Sequence, residues 1–392
     1  YKKKNKTKNE INCFKKSLNF NKKNSEAYIN LFNLLESTNE LDDLNFYIHL
    51  SLKNSININQ TNKTIYFKAL LLFRNKKYKK ALKLITEKDL IEKLSKNNDY
   101  LIKINLLISK IYEKTYKFNE AFTKIQIANN LIKNTNYNSA YNNDNILTNI
   151  KKYKKFFNKK NFLKIRNRLE YKDYSNLVFL VGFPRSGTTL LDSILRSHSK
   201  INIFEEEPYL LNLRHSFFKS KNNNLESLLE ISQVEKDAIR NNYLKAINYK
   251  KNNGVYIDKL PLSIIEIGFI KIIFPESKII LSLRHPCDVV ISCFFTSFKI
   301  NEAMYNFLDL KKTISFYNEV FDLFFNYEKE LNLNYYKIKY EDLVFDFKNQ
   351  VIDLLKYLDL KYEKKLETFY KTAKNRERIS TPSYSQVINP LY

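Results

Sequence analysis

Six residues, Gly182-Phe183-Pro184-Arg185-Ser186-Gly187, stand between an apolar run (Leu177 to Val181) and an amphipathic segment carrying Leu190, Leu191, Ile194 and Leu195. Such residues dictate a buried strand, a glycine-bounded loop and a helix start, in that order. The first N–H groups of a helix have no partner within it, and the helix dipole favours negative charge beside them. Ser186, Thr188 and Thr189 add hydroxyl donors at the same place, and Arg185 adds a fixed cationic fork. The chemistry on offer is the binding of a compact oxyanion.

What the loop lacks narrows that anion. A nucleoside-triphosphate loop reads G-x-x-x-x-G-K-[ST], with its lysine on the β- and γ-phosphates and its hydroxyl on magnesium. Gly182 and Gly187 have this spacing, but Thr188 stands in the lysine position and the loop cation is Arg185. A donor with one short anionic arm and no metal fits better. A second anion site is read at Arg284 and Ser292, eight residues apart across a strand end and the helix that Pro286 opens. An arginine so placed holds a phosphate bidentately while the serine donates a hydroxyl. An acidic run, Glu205-Glu206-Glu207, follows just after the loop helix as a source of a base, and another apolar run ends at Asp258-Lys259, whose lysine brings a positive charge.

These groups meet only if the elements carrying them share one edge. Apolar strand candidates are Leu177–Gly182, Val255–Asp258, Lys278–Arg284 and Tyr335–Tyr340. Helical stretches separate them, including Leu262–Phe274, Cys287–Lys299 and Phe307–Leu331. The alternation predicts an α/β fold, a mostly parallel sheet flanked by helices, with ligands at the carboxyl ends of the strands.

The motif G-F-P-R-S-G-T-T-L-L (182–191) resembles the 5′-phosphosulfate loop of sulfotransferases that use 3′-phosphoadenosine 5′-phosphosulfate (PAPS). The resemblance implies a P-loop-like sulfotransferase domain over about 171–392, with Pro184, Arg185, Ser186, Gly187, Thr188 and Thr189 around the phosphosulfate. It implies Arg284 and Ser292 on the 3′-phosphate, a group that ATP lacks. His285 departs from the family, whose members usually carry an aspartate there. Tyrosylprotein sulfotransferases and bacterial repeat-containing sulfotransferases carry a glutamate 22 residues after the loop proline, which here is Glu206; Glu205 and Glu207 lie within the uncertainty of that count. Its implied role is general base toward an acceptor hydroxyl (protein tyrosine, carbohydrate or small molecule). Lys259 and Arg185 would stabilise charge as the product nucleotide (PAP) departs, and no metal is implied. Tyr340-Glu-Asp-Leu343 resembles a family element whose tyrosine lies near the nucleotide. The tail Ser380–Tyr392 resembles the family's C-terminal segment and assigns Ser383 to the 3′-phosphate. A kinase-type phosphotransferase using the same loop is the competing enzyme, and a non-catalytic nucleotide-binding scaffold is the competing non-enzyme. The absent lysine and the Arg284/Ser292 pair argue against the first, Glu206 and Lys259 against the second.

Ahead of this domain, residues 1–135 are helical in period. Tyr78-Lys-Lys-Ala81 and Phe118-Asn-Glu-Ala121 each place an aromatic three residues before an alanine, and Ala69 and Ser109 lie twelve residues before those alanines. Small residues suit crossing points of paired helices, and the pattern resembles degenerate tetratricopeptide repeats. Such repeats suit recruitment of a peptide and formation of a homodimer alike. Residues 136–170 read as a basic connector. The net charge of +26 is unevenly spread: residues 1–170 hold 36 Lys+Arg against 14 Asp+Glu, and residues 171–392 hold 31 against 27. The basic excess therefore belongs to the helical part, and no arrangement there resembles a nucleic-acid module. Cysteines 13, 287 and 293 and the four histidines show no metal spacing. No apolar run nears the roughly 18 residues of a membrane span. The compartment expected from this cysteine usage is reducing and cytoplasmic; the chain begins at Tyr1 and says nothing of a leader or anchor.

Overall fold

Amphipathic spacing makes the first part of the chain a succession of helices: Lys2–Phe20, Ser25–Ser37, Leu41–Lys53, Ile58–Arg74, Tyr78–Glu87, Leu90–Lys93, Asn98–Lys114 and Phe118–Lys133. Asparagine starts three of them. The side chains of Asn24, Asn57 and Asn97 accept from the N–H groups of Ala27, Gln60 and Tyr100, satisfying donors that the helix itself leaves free. Apolar residues at helical spacing (Leu31, Phe32, Leu35, Leu44, Ile48, Ile104) are fully buried and form one core. Ser109, 1% exposed, donates to the carbonyl of Ala121 at 2.9 Å, so two small residues singled out by spacing touch across a helix pair.

The computed structural model describes residues 2–55, 57–135, 141, 145–166, 173–250 and 254–374. They form two units. The first combines the described residues of 1–142 with Ser297–Asp309, a segment distant in sequence. Within it, the Lys133 ammonium pairs with the Asp309 carboxylate at 3.0 Å. The second unit holds the described residues of 143–296 and 310–375. The helices Asn145–Phe156 and Lys159–Arg166, from the basic stretch read as a connector, fall in this second unit. Among the described residues no helix is long and apolar enough to cross a membrane.

A five-stranded, wholly parallel sheet organises the second unit: β1 (Leu177–Gly182), β2 (Ile201–Glu205), β3 (Val255–Lys259), β4 (Lys278–Leu283) and β5 (Tyr336–Lys339). The order is β2-β3-β1-β4-β5. β1 is buried throughout, as a central strand covered on both faces must be. One face (Val178, Leu180, Ile203, Ile257, Ile280) packs on Leu191, Ile194, Val351 and Leu354 of the flanking helices. On the other, Phe179 meets Tyr243 and Phe274. The chain leaves β1 toward β2 on one side and returns to β4 on the other, so strand order reverses at β1. Crevices for ligands open at that point, beyond the carboxyl ends.

Four of these strands match the sequence reading to within a residue or so at their ends. β2 is an addition: Glu205 ends an edge strand rather than following the loop helix directly, the helix Thr188–Leu195 having stopped ten residues before it. The predicted helix from Cys287 stops at Phe294 instead of Lys299.

Ala121 is 1% exposed where its helix meets Ser109. Ala121→Leu should lower stability by about 1–3 kcal/mol through overpacking, read as a lower midpoint in thermal or urea melts; an unchanged midpoint would show the crossing to be loose.

Candidate active site

Each predicted site residue among those described lies on or just past the carboxyl edge of the sheet. The loop after β1 is fixed from several sides. Ser186 N–H donates to the Phe183 carbonyl at 3.2 Å, closing the turn, and the Ser282 hydroxyl of β4 donates to the Ser186 carbonyl at 2.9 Å. The Cys293 thiol donates to the Pro184 carbonyl at 3.3 Å, and burial pushes that thiol up, out of the thiolate range. Gly182 is required by close approach, since a Cβ there would lie 2.6 Å from the Ser282 carbonyl oxygen. Gly187 is required twice over. Its φ is +100°, and a Cβ would lie 2.9 Å from the ring of Tyr340. From Gly187 the helix Thr188–Leu195 begins, with the carbonyl of Gly187 accepting from Leu190 and Leu191.

The sequence assigned Arg185 and Ser292 to opposite ends of one donor molecule. In the folded chain they are partners: Arg185 Nε donates to Ser292 Oγ at 2.9 Å, and Arg185 sits at φ +72°. Arg284 is engaged elsewhere. Its guanidinium carbon lies 4.9 Å from the centroid of the Tyr340 ring, and Nη2 donates to Asp288 at 3.3 Å. Among the described residues, Arg284 Nε is buried without a hydrogen-bond partner, and so is the hydroxyl of Ser186. Tyr340 therefore touches both predicted anion sites, packing beside Gly187 and under Arg284. Ser383 lies outside the described residues.

On the other side of β1, β2 and β3 pair with Glu205 opposite Lys259. The Lys259 side chain is fully buried. Its Nζ donates to Glu206 Oε1 at 2.8 Å and lies 3.4 Å from Glu205 Oε1. The Glu206 N–H in turn donates to the Lys259 carbonyl at 2.8 Å, and Glu206 adopts φ +55°. Acid and lysine are thus tied through side chain and backbone. The geometry also separates the three glutamates. Glu205 is held by strand register and only 18% exposed; Glu206 is 34% exposed, with one oxygen on the lysine.

Sequence reasoning missed the second tier. Asp258, one residue before Lys259, is buried on the opposite sheet face, where the Tyr243 hydroxyl donates to its Oδ2 at 2.7 Å. Burial nevertheless pushes the Asp258 carboxyl up to about 7. Glu266, which closes the short helix Pro261–Glu266 after β3, is buried with Arg214 (3.5 Å) and accepts from the Tyr153 hydroxyl at 3.3 Å. Arg214 belongs to the helix Tyr209–Ser220 that follows the glutamates. The chain segments leaving Glu206 and Lys259 are therefore joined a second time by a buried ion pair. An isolated Tyr153, Arg214 or Glu266 carries no spacing signal that would have revealed this. Among the described residues, no group of three or more acidic, histidine or cysteine side chains is arranged to hold a metal.

The Asp258 carboxyl gives a stability test. In the unfolded chain it ionises near 3.8, whereas folded it keeps its proton to about 7. The folded state binds the extra proton across that window, so this contribution is fully present at the acid end and lost as pH rises toward 7. Asp258→Asn should remove it. Relative to wild type, the melting temperature of the variant should rise from pH 5 to about pH 7 and then level off, and a constant difference would mean a carboxylate ionised throughout.

Residues 177–364 match the model of the sulfotransferase family. Protein-tyrosine sulfotransferase A of Caenorhabditis elegans is 25% identical over 209 residues, covering 52% of this chain and 54% of its own length. A protein of Aquifex aeolicus described only as uncharacterized is 25% identical over 298 residues, covering 73% of this chain and 38% of its own. The chain thus spans little more than half, or less, of these curated relatives. Among solved structures, the sulfotransferase domain of the Synechococcus PCC 7002 olefin synthase is similar at 19% identity and TM-score 0.37, covering 55% of this chain and 84% of that one. The match to the sulfotransferase family model thus covers residues 177–364, just under half of the chain.

Proposed function

We propose that the protein moves a sulfuryl group from PAPS to an acceptor hydroxyl. One observation carries the reading: among the described residues, Ser186 Oγ and Arg284 Nε are buried polar donors with no hydrogen-bond partner, at the carboxyl edge of the sheet that also carries Lys259. A buried donor left unpaired costs about 1–3 kcal/mol, and an anion reaching both would offset that cost. The residues present fit the donor's two anionic ends. Ser186, the hydroxyls of Thr188 and Thr189 and the helix start at Gly187 would hold the phosphosulfate. Arg284 would hold the 3′-phosphate, its planar group already oriented by the Tyr340 ring. Pro184 shapes the loop through its carbonyl, which accepts from Cys293.

The donor supplies an activated sulfuryl group, and this chain supplies the charges around it. Glu206 would take the proton of the attacking hydroxyl, for which its exposure leaves an open side. Lys259 and Arg185 would neutralise charge on the departing oxygen. The hydrogen bond to Ser292 aims the Arg185 guanidinium, giving Ser292 a place beside the loop rather than only at the 3′-phosphate. The tyrosine-sulfating relative supports a phenolic hydroxyl on a peptide as the acceptor. The helical unit, with its basic excess and tetratricopeptide-like spacing, suits the recruitment of such a peptide when acidic.

Calorimetric titration with PAP and with ADP, both without magnesium, tests the donor site. PAP should bind and ADP should bind far more weakly. Arg284→Ala should weaken PAP by about 10- to 100-fold through loss of a charge-assisted pair while changing ADP little. Equal binding of the two nucleotides, or binding only with magnesium, would overturn the reading in favour of a kinase-like site.

A further inference from the structure

Lys259 is fully buried, with the carboxylates of Glu205 and Glu206 both on it. A phosphate or sulfate brought to the lysine would meet these two negative groups in a poorly solvated place, where like charges repel far more than in water. One carboxylate has to give way. Glu205 is fixed by the β2–β3 register directly opposite the lysine and is mostly covered. Glu206 lies past the strand end, carries the shorter contact and is about one-third exposed, so its side chain has solvent to turn into.

We infer that Glu206 and the anionic donor exchange as counter-ions of Lys259. Without donor, Oε1 of Glu206 is engaged by the ammonium, and the acid is held away from an acceptor. When the donor's phosphate arm reaches Lys259, Glu206 is released toward solvent and the acceptor, while Glu205 remains and keeps the buried ammonium paired. The base becomes available only after the donor is in place, so binding is ordered and the acid is masked in the empty enzyme. The left-handed backbone at Glu206, anchored by its N–H on the Lys259 carbonyl, keeps the residue in place while its side chain turns. This inference rests on the donor-binding reading above and adds the residue that the donor displaces.

The test is PAP affinity by calorimetry for wild type, Glu206→Gln and Glu205→Gln, with thermal melts confirming that each is folded. If Glu206 is the exchanging group, Glu206→Gln binds PAP about tenfold more tightly than wild type, because a competing charge has gone. Glu205→Gln gains clearly less. In a Lys259→Met background, adding Glu206→Gln brings no comparable gain. Unchanged or weaker binding by Glu206→Gln overturns the exchange, and so do equal gains in the two glutamine variants, which would reflect bulk repulsion alone. Absence of PAP binding by folded wild type overturns the donor site itself. That result is distinct from wild-type binding without the Glu206 effect.

Discussion

A buried ammonium sets the terms for this edge of the protein. Lys259 is shut off from water at the end of β3, and the idealised cost of moving such an ion out of water is about 20 kcal/mol before pairing. The charge survives there because β2 runs parallel to β3 in a register that ends with Glu205 opposite it and Glu206 one residue beyond. The pairing therefore fixes more than a salt bridge. It determines where the edge strand must stop, why Glu206 takes a left-handed turn, and which way the following helix departs. The Arg214–Glu266 pair links the helix that follows the glutamates to the short helix that follows β3, so the two strand exits are tied a second time.

The oxyanion loop is shaped by a different means, mainly by its neighbours' backbone and aromatic surface. Ser282 from β4 holds the Ser186 carbonyl, Cys293 holds that of Pro184, and Tyr340 covers Gly187. Both glycines sit where any side chain would collide. Such a loop presents its donors in fixed positions before any ligand arrives, the condition under which electrostatic stabilisation is most effective. Tyr340 links this loop to Arg284 by packing against both, which makes one aromatic ring common to the two proposed anion sites.

In the first unit, helix caps and small residues at crossings help to organise the helices. Asparagines at three helix starts satisfy free N–H groups, and the Ser109–Ala121 contact sets one close approach. The inclusion of Ser297–Asp309 in this unit shows that a compact body need not be one continuous stretch of chain. Lys133 and Asp309, 176 positions apart, meet there.

The sequence alone settled what depends on local pattern. Apolar runs closed by glycine or charge marked four strands, the Gly182–Gly187 spacing marked the turn from strand to helix, and periodicity marked the helices, because each is written within about ten neighbouring residues. β2 escaped since five residues with Asn202 among them make a weak strand signal, although Ile201-Asn-Ile203-Phe does alternate. Tertiary structure decided the pairings: Arg185 with Ser292, Arg284 with Tyr340 and Asp288, Lys259 with Glu206, Asp258 with Tyr243. The physical reason is the parallel sheet itself. Its strands are joined by crossovers that return each carboxyl end to the same edge, so side chains far apart in sequence meet there by register, and register between distant strands has no local signature.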